Sequence, residues 1–229
     1  MQMLKEGDFI EIDYTGRLKD DGFVFDTTVE KTAKEQGMEG HRYGPVVVCI
    51  GQGNVLPGLE KKLVGKEPGK TYLIDLRPEE AFGKKDAKLI QLINTAKFKK
   101  DKIEPVPGMQ VNVDGNMGIV RTVAGGRTMV DFNHPLSSRE IVYEVSIKRL
   151  VTDDLEKASN YLKHFIGDVE LSLNEGRLSV TIPQKMPQEL AKMLGEKVKA
   201  VIPAIKEVNF MEKSTAPADI TQSAGLNSS

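Results

Sequence analysis

The chain has 229 residues with 32 Lys and Arg against 33 Asp and Glu, a net charge of −1, so no whole-molecule field directs it to nucleic acid or to a membrane surface. Its one cysteine, Cys49, excludes an internal disulfide, and no apolar run approaches the roughly 20 residues of a membrane-spanning helix. The start, Met1 to Glu6, lacks the apolar core of a secretory signal, and the expectation is a soluble, cytoplasmic protein, long enough for one large domain or two to three small ones.

In chain order, Asp8 to Tyr14 alternates, with Ile10, Ile12 and Tyr14 on one face and Glu11 and Asp13 on the other, as a half-buried strand does. Asp20-Asp-Gly22 marks a turn, and Phe23 to Asp26 begins a second strand. Thr27 to Gly44 is polar and reads as a loop with a short helix near Glu30 to Gln36. Val46 to Ile50 is a continuous apolar run, a buried strand closed by Gly51 and Gly53, and Cys49 within it is a core residue with no histidine nearby to activate it. The stretch Val55 to Gly65, with apolar side chains at 56, 59, 63 and 64 and Pro57 near its first turn, is one short helix of about two turns. Tyr72, Ile74 and Leu76 then alternate against Asp75 and Arg77 in a third amphipathic strand that ends at Pro78, so the helix lies across a curved sheet.

Two phosphate-binding readings of this centre fail. Gly65-Lys-Glu-Pro-Gly-Lys-Thr71 is one residue short of a P-loop, loses a donor at Pro68 and precedes a strand where a P-loop precedes a helix. Gly51-x-Gly53 lacks the βαβ unit of a dinucleotide site.

The block from Lys84 to Phe132 opens with an apolar-spaced segment (Leu89, Ile90, Leu92, Ile93) and continues past Pro105-Val-Pro-Gly108 into three short alternating runs, with hairpin turns at Asp114-Gly-Asn116 and Gly125-Gly126. Seven lysines between Lys84 and Lys102 read as a solvated helix face. A unit this small buries little core and keeps apolar surface exposed. Met109, Met117 and Met129 lie in or beside its runs, either as ordinary core or as a plastic face for unfolded chain, since thioether side chains adapt to varied partners. Arg139 to Arg149 alternates again, with Ile141, Tyr143, Val145 and Ile147 on one face. Beyond Thr152 the spacing gives a capped helix from Asp153 to Gly167, a hairpin about Asn174-Glu-Gly176, a helix from about Pro187 to Val201 and a last strand from Glu207 to Met211.

Taken together, Asp13-Tyr-Thr-Gly16, Phe25-Asp26, Ile50-Gly-x-Gly53, Val55-Leu56-x-Gly58-Leu59-Glu60, Ala81-Phe82-Gly83 and Val142-Tyr-Glu-Val145 resemble, in order and spacing, the FKBP-type peptidyl-prolyl cis/trans isomerases. An insertion between Phe82-Gly83 and Asn133-His-Pro-Leu136 sits where SlyD-like members carry an insert-in-flap domain, and the chain resembles the long archaeal form with an added C-terminal domain. The resemblance implies an α+β fold: a curved antiparallel sheet wrapped on a short helix, a small mostly-β domain in the flap and a C-terminal α+β domain. The expected divisions are 1–84 with 132–151 for the isomerase domain, 85–131 for the insert, 152–213 for the C-terminal domain and 214–229 for a polar tail.

The resemblance further implies a proline pocket of Tyr14, Phe25, Val46, Val55, Leu56, Leu59, Phe82 and Tyr143 with Asp26 at its edge, Leu56 offering its backbone N–H to a substrate carbonyl. Leu59 stands where the commonest members have Trp, a SlyD-like trait, and Phe82 lacks a flap hydroxyl. The flap histidine of many members has no clear counterpart, and His41, His134 and His164 are expected to be structural or exposed. Asp26 either pairs with a nearby Arg or Tyr hydroxyl or assists the twisting amide electrostatically.

The activity so implied is rotamase chemistry that needs no metal or cofactor. Unfolded or partly folded polypeptides with X–Pro bonds are the expected partners, macrolides of the kind that inhibit the family are expected ligands, and nucleic acid and membrane are not. In one reading the insert, through Met109, Met117 and Met129, holds unfolded chain beside the pocket as a chaperone; in the alternative the protein is a holdase or adaptor with a vestigial pocket. Self-association through the C-terminal domain, as a homodimer, and docking of Ala216-Pro217 in a neighbour's pocket complete the expectations.

Overall fold

Strand β1 (Phe9–Leu18) is the axis of the first sheet, and its burial alternates as the spacing of Ile10 and Ile12 predicts. It is longer than its apolar alternation, because Gly16 carries it through a bulge. The computed structural model describes residues 3–38, 43–184 and 186–213. β2 (Val24–Thr27) pairs with the second half of β1, from Thr15↔Thr27 to Arg17↔Val24, and a short α1 (Glu30–Glu35) follows. β3 (Val46–Cys49) pairs with the first half, from Phe9↔Cys49 to Ile12↔Val46. α2 (Pro57–Leu63) comes next, with proline in its first turn, where a missing N–H costs nothing. β4 (Thr71–Leu76) ends in a 3-10 turn, Pro78–Glu80, and the chain then leaves this sheet.

The excursion runs through a 3-10 turn at Ala87–Leu89 into β5 (Ile90–Asn94), α3 (Thr95–Lys100), β6 (Gln110–Val113), β7 (Asn116–Ala124) and β8 (Arg127–Asp131). These four strands form a separate antiparallel sheet in the order β5-β8-β7-β6. Phe98, Val111, Val113, Val120 and Val130 are its core, with Ile93, Ile103, Met109 and Phe132 packed at the margin. The lysine run is not the helix face expected from the sequence: Lys97, Lys99 and Lys100 lie on α3, while Lys84, Lys85, Lys88 and Lys102 lie outside it. α3 is shorter than that face, with Phe98 as its one buried residue, and Asn94 starts it by accepting the Ala96 N–H at 2.9 Å.

At the root of the excursion Asp131, almost wholly buried, accepts from Asn133 N–H at 3.0 Å, Asn133 Nδ2 at 2.8 Å, Arg121 Nη2 at 2.8 Å and Lys85 Nζ at 3.1 Å. Burial alone would raise its pKa, but the hydrogen bonds from Asn133, Arg121 and Lys85 outweigh it and hold the carboxyl well below the usual range. Arg121 reaches Asp131 from the register shift in β7 between Val120 and Thr122.

β9 (Ile141–Val151) returns between β1 and β4, giving the order β2-β1-β9-β4 with β3 also on β1. The inward side chains Ile10, Ile12, Ile74, Leu76, Ile141, Tyr143, Val145 and Ile147 close on Leu59 and Leu63 of α2, which are spaced one turn apart. Gly58 lets α2 lie directly on the 3-10 turn, since a Cβ there would overlap the Glu80 carbonyl oxygen.

Chain contacts separate residues 1–150 from 151–229. Within the second unit, α4 (Asp154–Ile166) is capped by Asp153, whose Oδ1 accepts the Glu156 N–H at 2.7 Å, and stops at Gly167 with φ 76°. β10 (Glu170–Asn174) and β11 (Arg177–Ile182) form the expected hairpin. α5 (Gln188–Val201) then crosses over and brings β12 (Glu207–Glu212) parallel to β11. Tyr161, Leu162, Leu178, Val180, Leu194, Val198 and Ile202 are buried there. Ala216-Pro217 and His41 lie outside the described residues. Among the described residues no helix is long and apolar enough to cross a membrane.

Candidate functional site

Tyr14 is fixed to the sheet before its ring does anything: its N–H donates to Thr28 Oγ1 at 2.9 Å and its carbonyl accepts the Thr28 N–H at 2.9 Å. Its ring meets Tyr143 of β9 edge-on at 5.7 Å, and Tyr143 meets Phe25 of β2 at 5.8 Å and 89°. Phe25 in turn meets Phe82 at 5.8 Å and 82°. Such edge-to-face contacts are the favoured aromatic geometry and hold four rings in one cradle. Gly16 makes room for it: a Cβ there would stand 2.7 Å from Phe25 Cζ and 2.9 Å from Tyr143 Cε1.

The rings line a cavity of about 600 Å³, whose other walls are Asp26, Gly53, Asn54, Val55, Leu56 and Pro57, with His134 and Leu136 across from them. The Asp26 carboxylate lies beside the Tyr14 hydroxyl on the cavity wall. Burial pushes the Tyr14 hydroxyl far above the ordinary tyrosine value, and the neighbouring Asp26 carboxylate adds to it; burial, then Asp26, then Tyr14 do the same to Tyr143. Both phenols are therefore neutral at any physiological pH.

The glycine-rich wall is organised by one carboxylate. Glu60, buried on the first turns of α2, accepts Gly51 N–H at 3.0 Å and Gly53 N–H at 3.2 Å on Oε2, and Asn54 N–H at 2.8 Å and Val55 N–H at 3.4 Å on Oε1. The next amide, Leu56 N–H, has no acceptor among the described residues, while the Leu56 carbonyl starts α2 by accepting from Leu59 and Glu60. A donor at the cavity wall is thus left for a ligand.

Of the residues expected from the sequence, Tyr14, Phe25, Asp26, Val55, Leu56, Phe82 and Tyr143 line this cavity. Val46 and Leu59 belong to the core behind it: Leu59 is fully buried in α2, and Val46 packs on the same cluster from β3. His134 was expected to be structural or exposed. It is exposed but also lines the cavity, stacked on Phe82 with ring centroids 4.4 Å apart and planes 3° apart, its Nδ1 accepting the Leu136 N–H at 3.2 Å. The same turn holds Phe82 through Ser137 Oγ, which donates to the Phe82 carbonyl at 3.1 Å, and through Ser138 N–H, which donates to Gly83 O at 2.8 Å. The position was missed because 51 residues of sequence separate Phe82 from His134; Pro135 after it, a turn residue, was the available signal. His164 is exposed on α4. On the excursion, Met109 packs against the core, Met129 is half-buried on β8, and Met117 is 52% exposed and lines a groove of about 300 Å³ with Leu89, Val113 and Phe132.

An apolar cradle with one free N–H and two neutral phenols suits a reaction without nucleophile or base. Rotation about an X–Pro bond has a barrier of about 18–20 kcal/mol from amide resonance, and a dry pocket that fits the twisted, less conjugated imide lowers it.

A family model described as FKBP-type peptidyl-prolyl cis-trans isomerase matches residues 1–100, and one described as FKBP26, IF domain, matches residues 91–136. The chain is 30% identical over 150 residues to a short-type peptidyl-prolyl cis-trans isomerase of Methanocaldococcus jannaschii, covering 65% of this chain and 94% of that relative. It is 31% identical over 108 residues to the FKBP-type 16 kDa peptidyl-prolyl cis-trans isomerase of Escherichia coli K12, covering 45% of this chain and 72% of the relative. Against the isomerase SlyD of Pasteurella multocida it is 30% identical over 107 residues, covering 45% of this chain and 53% of the relative. With its sheet wrapped on α2, its aromatic cradle and relatives matched over most of their length, the chain belongs to the FKBP-type peptidyl-prolyl cis-trans isomerases, enzymes that act on proline-containing polypeptides.

Proposed function

We propose that this isomerase is also a folding chaperone, in which residues 85–131 hold unfolded polypeptide close to a proline pocket built by residues 1–84 and 132–151. In this reading the ring of proline enters between Tyr14, Phe25, Phe82 and Tyr143, with Val46 and Leu59 supporting the floor from behind. Val55 closes the side, Leu56 N–H binds the carbonyl beside the proline, and Asp26 holds the Tyr14 hydroxyl away from the twisting amide. The gain required is modest: uncatalysed exchange takes tens to hundreds of seconds, so millisecond turnover needs a barrier lower by roughly 5.5–7 kcal/mol.

The holding role rests on one observation, the groove of Leu89, Val113, Met117 and Phe132, in which Met117 is 52% exposed. Exposed apolar side chains in a sheet this small cost solubility unless they bind something. Tethering a client there raises the local proline concentration to about millimolar, so a weak pocket suffices. The test compares the intact protein with a chain lacking 85–131 and with a Leu89→Ser, Met117→Ser variant, on a short X–Pro peptide and on the proline-limited refolding of a protein. Both changed chains should keep the peptide rate and lose most of the refolding rate. Equal refolding rates in all three would overturn the holding role.

A further inference from the structure

The excursion from Lys84 to Phe132 carries nine Lys and Arg against five Asp and Glu, a net charge of +4 on a chain whose total is −1. The charge is not evenly spent. Lys84 pairs with Glu79 at 2.7 Å, Lys85 and Arg121 with Asp131 at 3.1 and 2.8 Å, and Lys97 with Asp114 at 2.6 Å. Asp114 is the one acidic residue among those lining the groove of Leu89, Val113, Met117 and Phe132, and Lys97 neutralises it. Lys88, next to Leu89, and Lys99, Lys100 and Lys102, on and just after α3, have no ion-pair partner among the described residues. Asp86, Asp101 and Glu104 are likewise without an ion-pair partner among the described residues, so the free cations, Arg127 included, outnumber the free acids by five to three on a segment whose groove has its single acid cancelled.

We infer that the groove selects unfolded polypeptide segments in which apolar residues are flanked by Asp and Glu, the apolar side chains entering between Leu89 and Met117 while the acids meet Lys88, Lys99, Lys100 and Lys102. This rests on the holding role proposed above and names its substrate class. Polypeptide fits better than nucleic acid because the groove wants apolar side chains. No exposed aromatic ring stands on this sheet for a base to stack on, Phe98 being buried and Phe132 half-buried. Complementary charge of this kind also speeds encounter and favours one partner over another more than it adds raw affinity.

The test uses the full chain and three probes: two permanently unfolded polypeptides of equal apolar content and length, one with Asp and Glu beside each apolar cluster and one with Lys and Arg there, and a single-stranded RNA homopolymer. Kd is measured at low and at high salt. The acidic polypeptide should bind about tenfold tighter than the basic one at low salt, the order expected from four exposed charges. The preference should shrink as salt rises and vanish in a Lys88→Gln, Lys99→Gln, Lys100→Gln, Lys102→Gln variant; the salt dependence of the unchanged chain decides the matter if that variant folds poorly. Equal Kd for the two polypeptides overturns the inference and leaves the holding role standing. Binding of neither overturns both. Tighter binding of the RNA than of the acidic polypeptide overturns the inference in favour of a nucleic-acid surface.

Discussion

Asp26 is the carboxylate on the wall of the aromatic cradle, beside the Tyr14 hydroxyl whose pKa it helps to raise, and it makes the electrostatics of the cradle testable. Asp26→Val leaves the Tyr14 hydroxyl without its partner in a dry site, and on a short X–Pro peptide kcat/KM should fall about tenfold, the cost of one unpaired polar group. His134→Ala strips the stack from Phe82, and a loss of about two- to tenfold is expected, the range of one aromatic contact. Both phenols are held above their ordinary value of 10.0, so the stability they contribute is fully present below that pH and is lost only as pH rises through their folded values. The peptide rate should therefore hold up to about pH 10, and a fall with a midpoint near pH 9 would show that a titrating phenol is needed neutral and is not protected. At this scale the sequence marked the cradle well, because Tyr14, Phe25, Phe82 and Tyr143 sit in short motifs whose local chain sets them. It did not mark His134, which 51 residues of sequence separate from Phe82 and which meets that ring through the turn at 134–138.

At the scale of elements, the short α2 is where sequence and structure agree most closely, and Glu60 explains why. A helix of seven residues is too short to stand alone, yet its Leu59 and Leu63 lock into the core and its Glu60 gathers four loop amides from Gly51 to Val55. Glu60→Gln replaces one acceptor oxygen by an NH₂ group facing N–H donors, so the 51–55 loop should loosen and the protein lose about 2–4 kcal/mol by denaturant unfolding, with the peptide rate falling as Leu56 N–H loses its placement. An unchanged midpoint would mean that the loop is held by something else. The apolar spacing announced α2, but nothing in it announced where the Glu60 carboxylate turns, which depends on the backbone of the preceding loop. β12 was legible as a strand from Glu207 to Met211, whereas its parallel pairing with β11 comes from the crossover through α5, a matter of topology that alternation does not encode.

At the scale of the whole molecule, the chain joins an isomerase sheet to a second sheet of opposite charge balance through a buried Asp131 that ties Lys85, Arg121 and Asn133 together. Turn residues at Asp114-Gly-Asn116 and Gly125-Gly126 made the hairpins of that sheet readable, while the Asp131 junction was not, since its partners come from positions up to 46 residues away. We propose that X–Pro isomerisation takes place in the aromatic cradle. The most direct measurement is the cis-to-trans rate of a labelled Ala-Leu-Pro-Phe peptide with the intact protein and with a Tyr14→Ala, Phe25→Ala double variant whose fold is checked by circular dichroism. Clear acceleration by the intact protein and its near-complete loss in the folded variant are expected; acceleration that survives in the variant would place the chemistry elsewhere.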